Sequence, residues 1–343
     1  MRCVAIIGVS GPVGQSLLRR LAADPSVERV VGVDDRDPDI RPRCLEFHRL
    51  DPAAADLVPV LAGADALAQV DVGGGRAGDG GTVLEGARRV LAASAVAAVG
   101  SVVYTSSATV YGAWPTNPVP LTEDAPIRPN PGFSYALAQA EAERLAAEWR
   151  RDRPEGSLAV LRPVTVLGPG VEGWLSRLFR DAPPVGVSDA LPPVQYVHED
   201  DVAAAVELAL RRRLDGVFNV APDGWMSGEE ARALTAGRFR VAVPEHLARR
   251  FTGVAWRLGL GRTPAEVVPY LVHPWVVAND RLRATGWEPK HTSEEAFVAG
   301  AGVPTWQSLS LGRRQAVGVG VAAAVVAAGV GGAVAMARRH RRS

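Results

Sequence analysis

Two stretches of this chain combine residue types that can do chemistry. The first runs Val4-Ala-Ile-Ile-Gly-Val-Ser-Gly-Pro-Val-Gly, where an apolar run meets Gly8, Gly11 and Gly14 and then a helical segment from Gln15 to Ala23. Such a strand, tight turn and helix needs glycine wherever the backbone takes positive φ or approaches another group closely. The new helix end offers unpaired N–H groups and a positive dipole to an anion, for which a dinucleotide pyrophosphate is the natural guest. Gly8, Ser10, Gly11, Pro12, Val13 and Gly14 are the candidate cradle. The second stretch is Val102-Val-Tyr-Thr-Ser-Ser-Ala-Thr-Val-Tyr-Gly. A β-rich run reaching hydroxyl residues at its carboxyl end places Ser106, Ser107 and Thr109 where open α/β sheets bind ligands. The same hydroxyls could instead satisfy backbone groups at the strand end.

The elements around these stretches follow from pattern. Val30-Val-Gly-Val-Asp-Asp reads as a second strand, and Asp34, twenty residues past Gly14, stands where an acid accepts hydrogen bonds from an adenosine ribose and repels a 2′-phosphate. NAD is therefore expected over NADP, although Arg36 leaves some room for the latter. Leu45 to Leu50 reads as a third strand; Asp51 after it could contact adenine or begin a turn. Leu57 to Leu61 and Ala64 to Val72 supply a helix and a strand, Gly73 to Gly81 a loop, and Thr82 to Ala95 a helix. Tyr135 opens a strongly helical run and shares a helix face with Gln139. Arg162 and Pro163 end another strand, expected beside the cofactor, and Val217 to Val220 returns the chain to the sheet. The expected fold is α/β: a doubly wound parallel sheet over 1–170, rejoined by 195–222, with a smaller lobe over 171–310. Trp256, Tyr270, Trp275, Trp287 and Phe297 are expected to build that lobe's own core.

Composition narrows the classes. The chain has 343 residues, 47% of them hydrophobic, ample for a large core. The formal charge is +1, but six arginines and no acid follow Gly312, leaving 32 basic against 37 acidic groups elsewhere. That mildly acidic body argues against a nucleic-acid partner. Cys3 and Cys44 are too few for a disulfide framework and read as buried thiols. His198-Glu-Asp-Asp reads as a helix start capped by Asp200 or Asp201, with no metal expected. Gln315 to Ala337 is 23 uncharged residues between arginine clusters; as a helix it would be about 34 Å long, enough for a hydrocarbon core. The pairs Gly318/Ala322 and Ala328/Gly332 would let two such helices pack, as in a homodimer. The expectation is a cytoplasmic body tethered to the inner face of the cell membrane, though spanning would put four arginines outside against two inside, contrary to the usual bias.

In order and spacing, Gly8/Gly11/Gly14, Asp34, Ser-Ser-Ala-Thr-Val-Tyr-Gly at Ser106 to Gly112, and Tyr135 resemble the extended short-chain dehydrogenase/reductases, the family of NAD-dependent sugar-nucleotide epimerases and dehydratases. Leu161-Arg-Pro-Val-Thr-Val-Leu-Gly-Pro-Gly, Tyr196-Val-His-Glu-Asp-Asp-Val-Ala, Val217-Phe-Asn-Val-Ala and Thr285-Gly-Trp-Glu-Pro-Lys-His-Thr extend the resemblance from Val4 to Phe297. It implies an oxidoreductase acting on a small molecule such as a nucleotide sugar, with Ser107 and Tyr135, aided by Thr109, bonding the reacting oxygen while the tyrosine shuttles its proton. The family's lysine four residues after the tyrosine lowers its pKa and holds the nicotinamide ribose; this chain has Gln139 there. The usual His-Leu-Ala reads Gln69-Val-Asp-Val, and Val83 replaces the usual Asn. Two functions follow: an epimerase/dehydratase-like enzyme in which Gln139 keeps the ribose-binding part of the lysine's role, or a non-catalytic NAD-binding protein that senses or scaffolds at the membrane.

Overall fold

The structure, a computed structural model, describes residues 1–70, 80–181, 185–187, 191–234, 241–258 and 264–300. In chain order its elements are β1 (Cys3–Ile7), α1 (Pro12–Ala22), β2 (Arg29–Asp34), β3 (Leu45–Arg49), α2 (Val58–Leu61), β4 (Ala66–Gln69), α3 (Gly80–Val96) and β5 (Ser101–Thr105). A 3₁₀ turn (Ala108–Tyr111) then leads to α4 (Ser134–Arg151), β6 (Ser157–Pro163), β7 (Thr165–Leu167), α5 (Trp174–Asp181), β8 (Val185–Val187), β9 (Tyr196–His198), α6 (Glu199–Arg212) and β10 (Gly216–Val220). The chain continues through α7 (Gly228–Leu234), β11 (Val241–Val243), α8 (Glu245–Arg257), α9 (Val268–Val272), α10 (Asp280–Arg283) and α11 (Ser293–Gly300).

Seven strands form one sheet in the order β10-β6-β5-β4-β1-β2-β3, and every pairing in it is parallel. The order reverses between β1 and β4, which opens a crevice at the carboxyl ends of these strands. Side chains alternate across a strand, and here both faces are covered. Val4 and Ile6 join the core beneath α1 and α6, whereas Cys3, Ala5 and Ile7 join the core beneath α2, α3 and α4. That two-sided burial explains why β1 reads as an unbroken apolar run rather than an alternating one. On the first face α6 lies along α1: Ser16 bonds the Asp200 carboxylate, and Arg20 Nη1 reaches Glu207 at 3.3 Å.

The sequence expectations need correcting at several points. Gly80 and Gly81 open α3 rather than a loop, because a Cβ at Gly80 would lie 2.4 Å from the Ser134 carbonyl oxygen and the two helices meet there. Residues 71–79 lie outside the described residues. Tyr270, Trp275, Trp287 and Phe297 do not build a separate core; they belong to the same buried cluster as Val4, Leu17 and Val202, while Trp256 is exposed. The cap of α6 is His198, not an aspartate: its Nδ1 accepts the Asp200 N–H at 3.1 Å. Asp201 instead accepts the backbone N–H groups of Lys290 and His291 at 2.9 and 3.0 Å, tying the chain after α10 to α6. Cys3 is buried and Cys44 half-buried, both as free thiols. Among the described residues no helix is long and apolar enough to cross a membrane, and the 315–337 segment lies outside them.

The glycines of the first turn have separable tasks. Gly8 has φ +86° and must turn the chain out of β1. A Cβ at Gly14 would fall 2.1 Å from the Gly8 carbonyl oxygen, whereas one at Gly11 would stand 3.4 Å from the same atom, near ordinary contact. Gly14→Ala is therefore expected to lower unfolding free energy by about 2–3 kcal/mol through forced backbone displacement. Gly11→Ala should leave it within about 0.5 kcal/mol, as measured by urea denaturation of the two variants.

Candidate functional site

Four groups converge at the carboxyl edge of the sheet. The first is the glycine turn. α1 starts at Pro12 behind Gly11, with no side-chain cap and no acid in its first turn, so its leading N–H groups have no carbonyl partner within the helix. The loop is nonetheless fixed: Gly11 N donates to Gly8 O at 3.2 Å, Ser10 Oγ to Arg36 O at 2.6 Å and Gln15 Nε2 to Ser10 O at 3.0 Å. Val13 is buried in the core, so its side chain anchors the turn while its backbone lines it. The second group is Asp34, buried at the end of β2, whose carboxylate accepts Ser10 N at 3.0 Å and Arg36 N at 3.2 Å. Burial raises its pKa, against the Ser10 N–H that works to lower it. Two of a carboxylate's roughly four acceptor positions are thus taken, leaving the others for a diol.

Third is Gln69, ending β4 beside Ile7 and Tyr104. Its Oε1 is buried with no hydrogen-bond partner, a polar atom awaiting a donor next to the glycine turn. A vacant helix end, a diol-ready acid and an orphaned acceptor at one crevice fit a bound dinucleotide. Asp51 is less involved: its carboxylate accepts Ala53 N at 2.9 Å and its carbonyl accepts Ala54 and Ala55, so it organises a turn. Arg162 spends all three guanidinium nitrogens inside the protein, with Nε 3.0 Å and Nη2 2.6 Å from the Glu143 carboxylate and Nη1 2.8 Å from Tyr111 Oη. Pro163 does end β6, in register with Val220.

The fourth group is hydroxylic. Ser107 caps the 3₁₀ turn, its Oγ accepting Thr109 N at 3.2 Å and Thr109 Oγ1 at 2.9 Å, so that its own proton is left to donate elsewhere. Thr109 is fully buried and orients Ser107; Tyr270 holds the same turn by donating to the Thr109 carbonyl at 2.8 Å. Ser106 points the other way and donates to Glu143 Oε1 at 2.5 Å. Tyr135 sits in the first turn of α4, its ring 5.9 Å from Trp174 edge-to-face and 6.0 Å from Phe133. Gln139, one turn on, donates from Nε2 to Tyr135 Oη at 3.3 Å, while its Oε1 accepts the Tyr104 hydroxyl at 2.6 Å. Trp174 of α5 packs edge-on against the tyrosine ring.

Sequence reasoning missed Glu143, Tyr104 and Glu199. Glu143 follows Gln139 by four residues, a helix-face signal that could have marked it; Tyr104 and Glu199 matter only through contacts across the fold. The Arg162–Glu143 pair is nearly free of solvent. Burial works to lower the Arg162 pKa, yet the bonds to Glu143 outweigh it and the net shift is upward. Removing one partner leaves the other charge buried alone, so Glu143→Ala is expected to cost about 3–5 kcal/mol in denaturant unfolding.

Glu199 lies against Gly168, its Oε2 buried without a hydrogen-bond partner, and the adjoining Gly170 approaches Pro12 of the glycine turn. Burial raises the Glu199 carboxyl from 4.5 to about 7. Between these values the folded chain holds a proton that the unfolded chain has released, so stability falls as pH rises through this window. Glu199→Gln should flatten that fall: its melting temperature should exceed wild type at pH 8 and match it at pH 4.5.

Comparison with known proteins agrees with this geometry. A protein of Mycobacterium tuberculosis described as uncharacterized is 28% identical over 324 residues, 86% of this chain and 82% of its own length. Among solved structures, MoeE5 in complex with UDP-glucuronic acid and NAD superposes with TM-score 0.67 at 24% identity, covering 89% of this chain and 99% of its own. The Thermus thermophilus UDP-glucose 4-epimerase complex with NAD gives TM-score 0.65 at 20% identity, over 87% of this chain and 97% of its own. The model of the NAD dependent epimerase/dehydratase family matches residues 4–221. That match spans well over half of the chain and includes the glycine turn, Asp34, Ser107 and Tyr135; the chain belongs to the NAD dependent epimerase/dehydratase family.

Proposed function

We propose that this protein is an NAD-dependent oxidoreductase of the epimerase/dehydratase type, acting on a hydroxyl or keto carbon of a nucleotide sugar. The observation that carries this reading is the placement of Ser107 and Tyr135 at the carboxyl edge of the same sheet as the glycine turn, with Tyr135 bonded to Gln139. Nucleotide sugars are the substrate class because UDP-glucuronic acid and UDP-glucose are bound in MoeE5, whose fold this chain shares over nearly its full length.

In this reading Gly8, Gly11 and Gly14 with the first turn of α1 hold the pyrophosphate, and Asp34 holds the adenosine ribose. Gln69 Oε1 would accept a donor from the dinucleotide, and Gln139 would take the ribose-binding part of the lysine's role. NAD, when bound, supplies the site that accepts or returns hydride. Ser107 donates to the reacting oxygen and fixes its direction. Tyr135 gives its proton to that oxygen when a ketone is reduced, or takes one when an alcohol is oxidised. A free tyrosine is only about 0.1% phenolate at pH 7, so the alcohol direction needs a stabiliser of the ionised ring. Gln139 offers one neutral N–H, worth about 1 kcal/mol, where a lysine would offer a charged donor worth about 1.5–3 kcal/mol. Trp174 and Phe133 keep water from the tyrosine edge. This balance favours the keto-reducing direction, in which a neutral Tyr135 starts as the proton donor.

The 315–337 segment, uncharged and flanked by Arg313-Arg314 and Arg338-Arg339, supports attachment of the protein to the cytoplasmic face of a membrane. Small residues spaced four apart on it favour pairing of two copies.

The test is a panel of UDP- and dTDP-sugars with NAD and NADP, following NADH absorbance and product composition. Gln139→Lys should raise turnover in the oxidising direction about tenfold, the ratio that about 1.4 kcal/mol represents, and Tyr135→Phe should abolish it while NAD still binds. Were wild type and Gln139→Lys both inert while binding NAD at micromolar concentration, the protein would be a cofactor-binding sensor or scaffold instead. Deleting residues 313–343 should move the protein from the membrane to the soluble fraction; unchanged fractionation would exclude anchoring by that segment.

A further inference from the structure

Gln139 is buried between two phenols, Tyr104 on β5 and Tyr135 on α4. A primary amide has a donor end and an acceptor end, and which end faces Tyr135 determines what that tyrosine can do. With Nε2 toward Tyr135, the phenol oxygen accepts a bond, and the phenolate left after proton transfer is stabilised. With Oε1 toward Tyr135, the phenol must donate into the amide, and its proton is withheld. The structure holds the first of these arrangements: Tyr104 donates to Gln139 Oε1 at 2.6 Å, an ordinary hydroxyl-to-carbonyl length, and Nε2 faces Tyr135 at 3.3 Å.

Tyr104 is well placed to hold that choice. It lies between Gln69 of β4 and Val160 of β6 in the middle of the sheet and is 1% exposed, so its ring cannot swing away. Gln139 alone has three rotatable side-chain bonds, and a flip of its amide costs nothing covalently. We propose that Tyr104 is a positioning residue for the proposed reaction: by donating to Gln139 Oε1 it locks the amide with Nε2 toward Tyr135. The inference rests on the enzymatic reading for its purpose, but its physical content is the state of Tyr135. An ammonium group has only donors and needs no such lock. The Tyr104 hydroxyl thus matters because position 139 is a glutamine.

The experiment uses full-length protein with saturating NAD and tyrosine labelled with ¹³C at Cζ, the Tyr135 resonance being assigned by its loss in Tyr135→Phe. Tyr104→Phe keeps the ring and removes the donor; a matching circular dichroism spectrum and NAD affinity establish that the fold and the cradle persist. The Tyr135 ionisation midpoint is expected to move to higher pH by about one unit, a tenfold loss of phenolate at fixed pH. Adding Gln139→Lys to Tyr104→Phe should abolish that difference, giving the same midpoint as Gln139→Lys alone. An unmoved Tyr135 midpoint in Tyr104→Phe overturns the positioning role, whatever the activity. A moved midpoint together with no turnover on any nucleotide sugar leaves the positioning role intact and sinks the enzymatic reading. Where turnover is present, Tyr104→Phe should lower kcat about tenfold with KM for the sugar unchanged; a rise in KM alone would count against positioning of the proton donor.

Discussion

A buried ion pair sets the geometry on which everything else in the site depends. Arg162 on β6 and Glu143 on α4 meet in the solvent-free interior, and neither can leave without stranding the other. Each also carries a second duty. Glu143 accepts Ser106 Oγ, which sets the direction of the peptide entering Ser107, and Arg162 holds Tyr111 Oη at the end of the same turn. Tyr111 in turn donates to Asn219 of β10 at 2.7 Å. One charge pair therefore fixes the helix bearing Tyr135 and Gln139, the turn bearing Ser107 and Thr109, and the outermost strand of the sheet. Its cost in desolvation is offset because each guanidinium nitrogen has an oxygen to meet, two of them on the carboxylate.

Around that frame the site separates holding from reacting. The glycine turn is fixed by backbone contacts so tight that Gly14 admits no side chain, and it leaves the helix end open. Tyr135 is held otherwise, by aromatic edges and one amide. Replacing the ammonium expected at position 139 by an amide makes the tyrosine's environment neutral, and a neutral environment needs orientation where a charged one needs only proximity. The Tyr104–Gln139–Tyr135 chain supplies orientation at the centre of the sheet, where the backbone is least free to shift.

Most of the architecture was legible before any coordinates. Long apolar runs such as Cys3–Ile7 and Ser101–Thr105 announce strands because both sheet faces are covered, and Gly8 and Gly14 announce the turn because its positive φ and its close backbone approach exclude a side chain there. Strand bounds shifted, as at β4, expected from Ala64 and found from Ala66, since the boundary depends on partner strands. Other readings failed for reasons of contact. An aspartate is a common helix cap, yet His198 took that place at α6 because Asp201 was drawn to the backbone of Lys290 and His291. The partner of Arg162 was equally out of reach of the sequence: a carboxylate four residues beyond Gln139 meets it across the fold.

By itself the sequence determined what is periodic or local: a parallel α/β sheet, a glycine turn at its first strand, an acid twenty residues later, a serine, a tyrosine and the glutamine that replaces a lysine. These are written as residue types at fixed spacing, because backbone conformation and side-chain alternation act over a few positions. Only the tertiary structure decided the roles that depend on which atoms face each other: that Ser106 donates to Glu143 while Ser107 accepts from Thr109, and that the lobe's aromatics join the main core. It also decided that a strand tyrosine 35 residues before Gln139 sets the direction of its amide. Hydrogen bonding and burial are properties of pairs, and a linear sequence names only one member of a pair at a time.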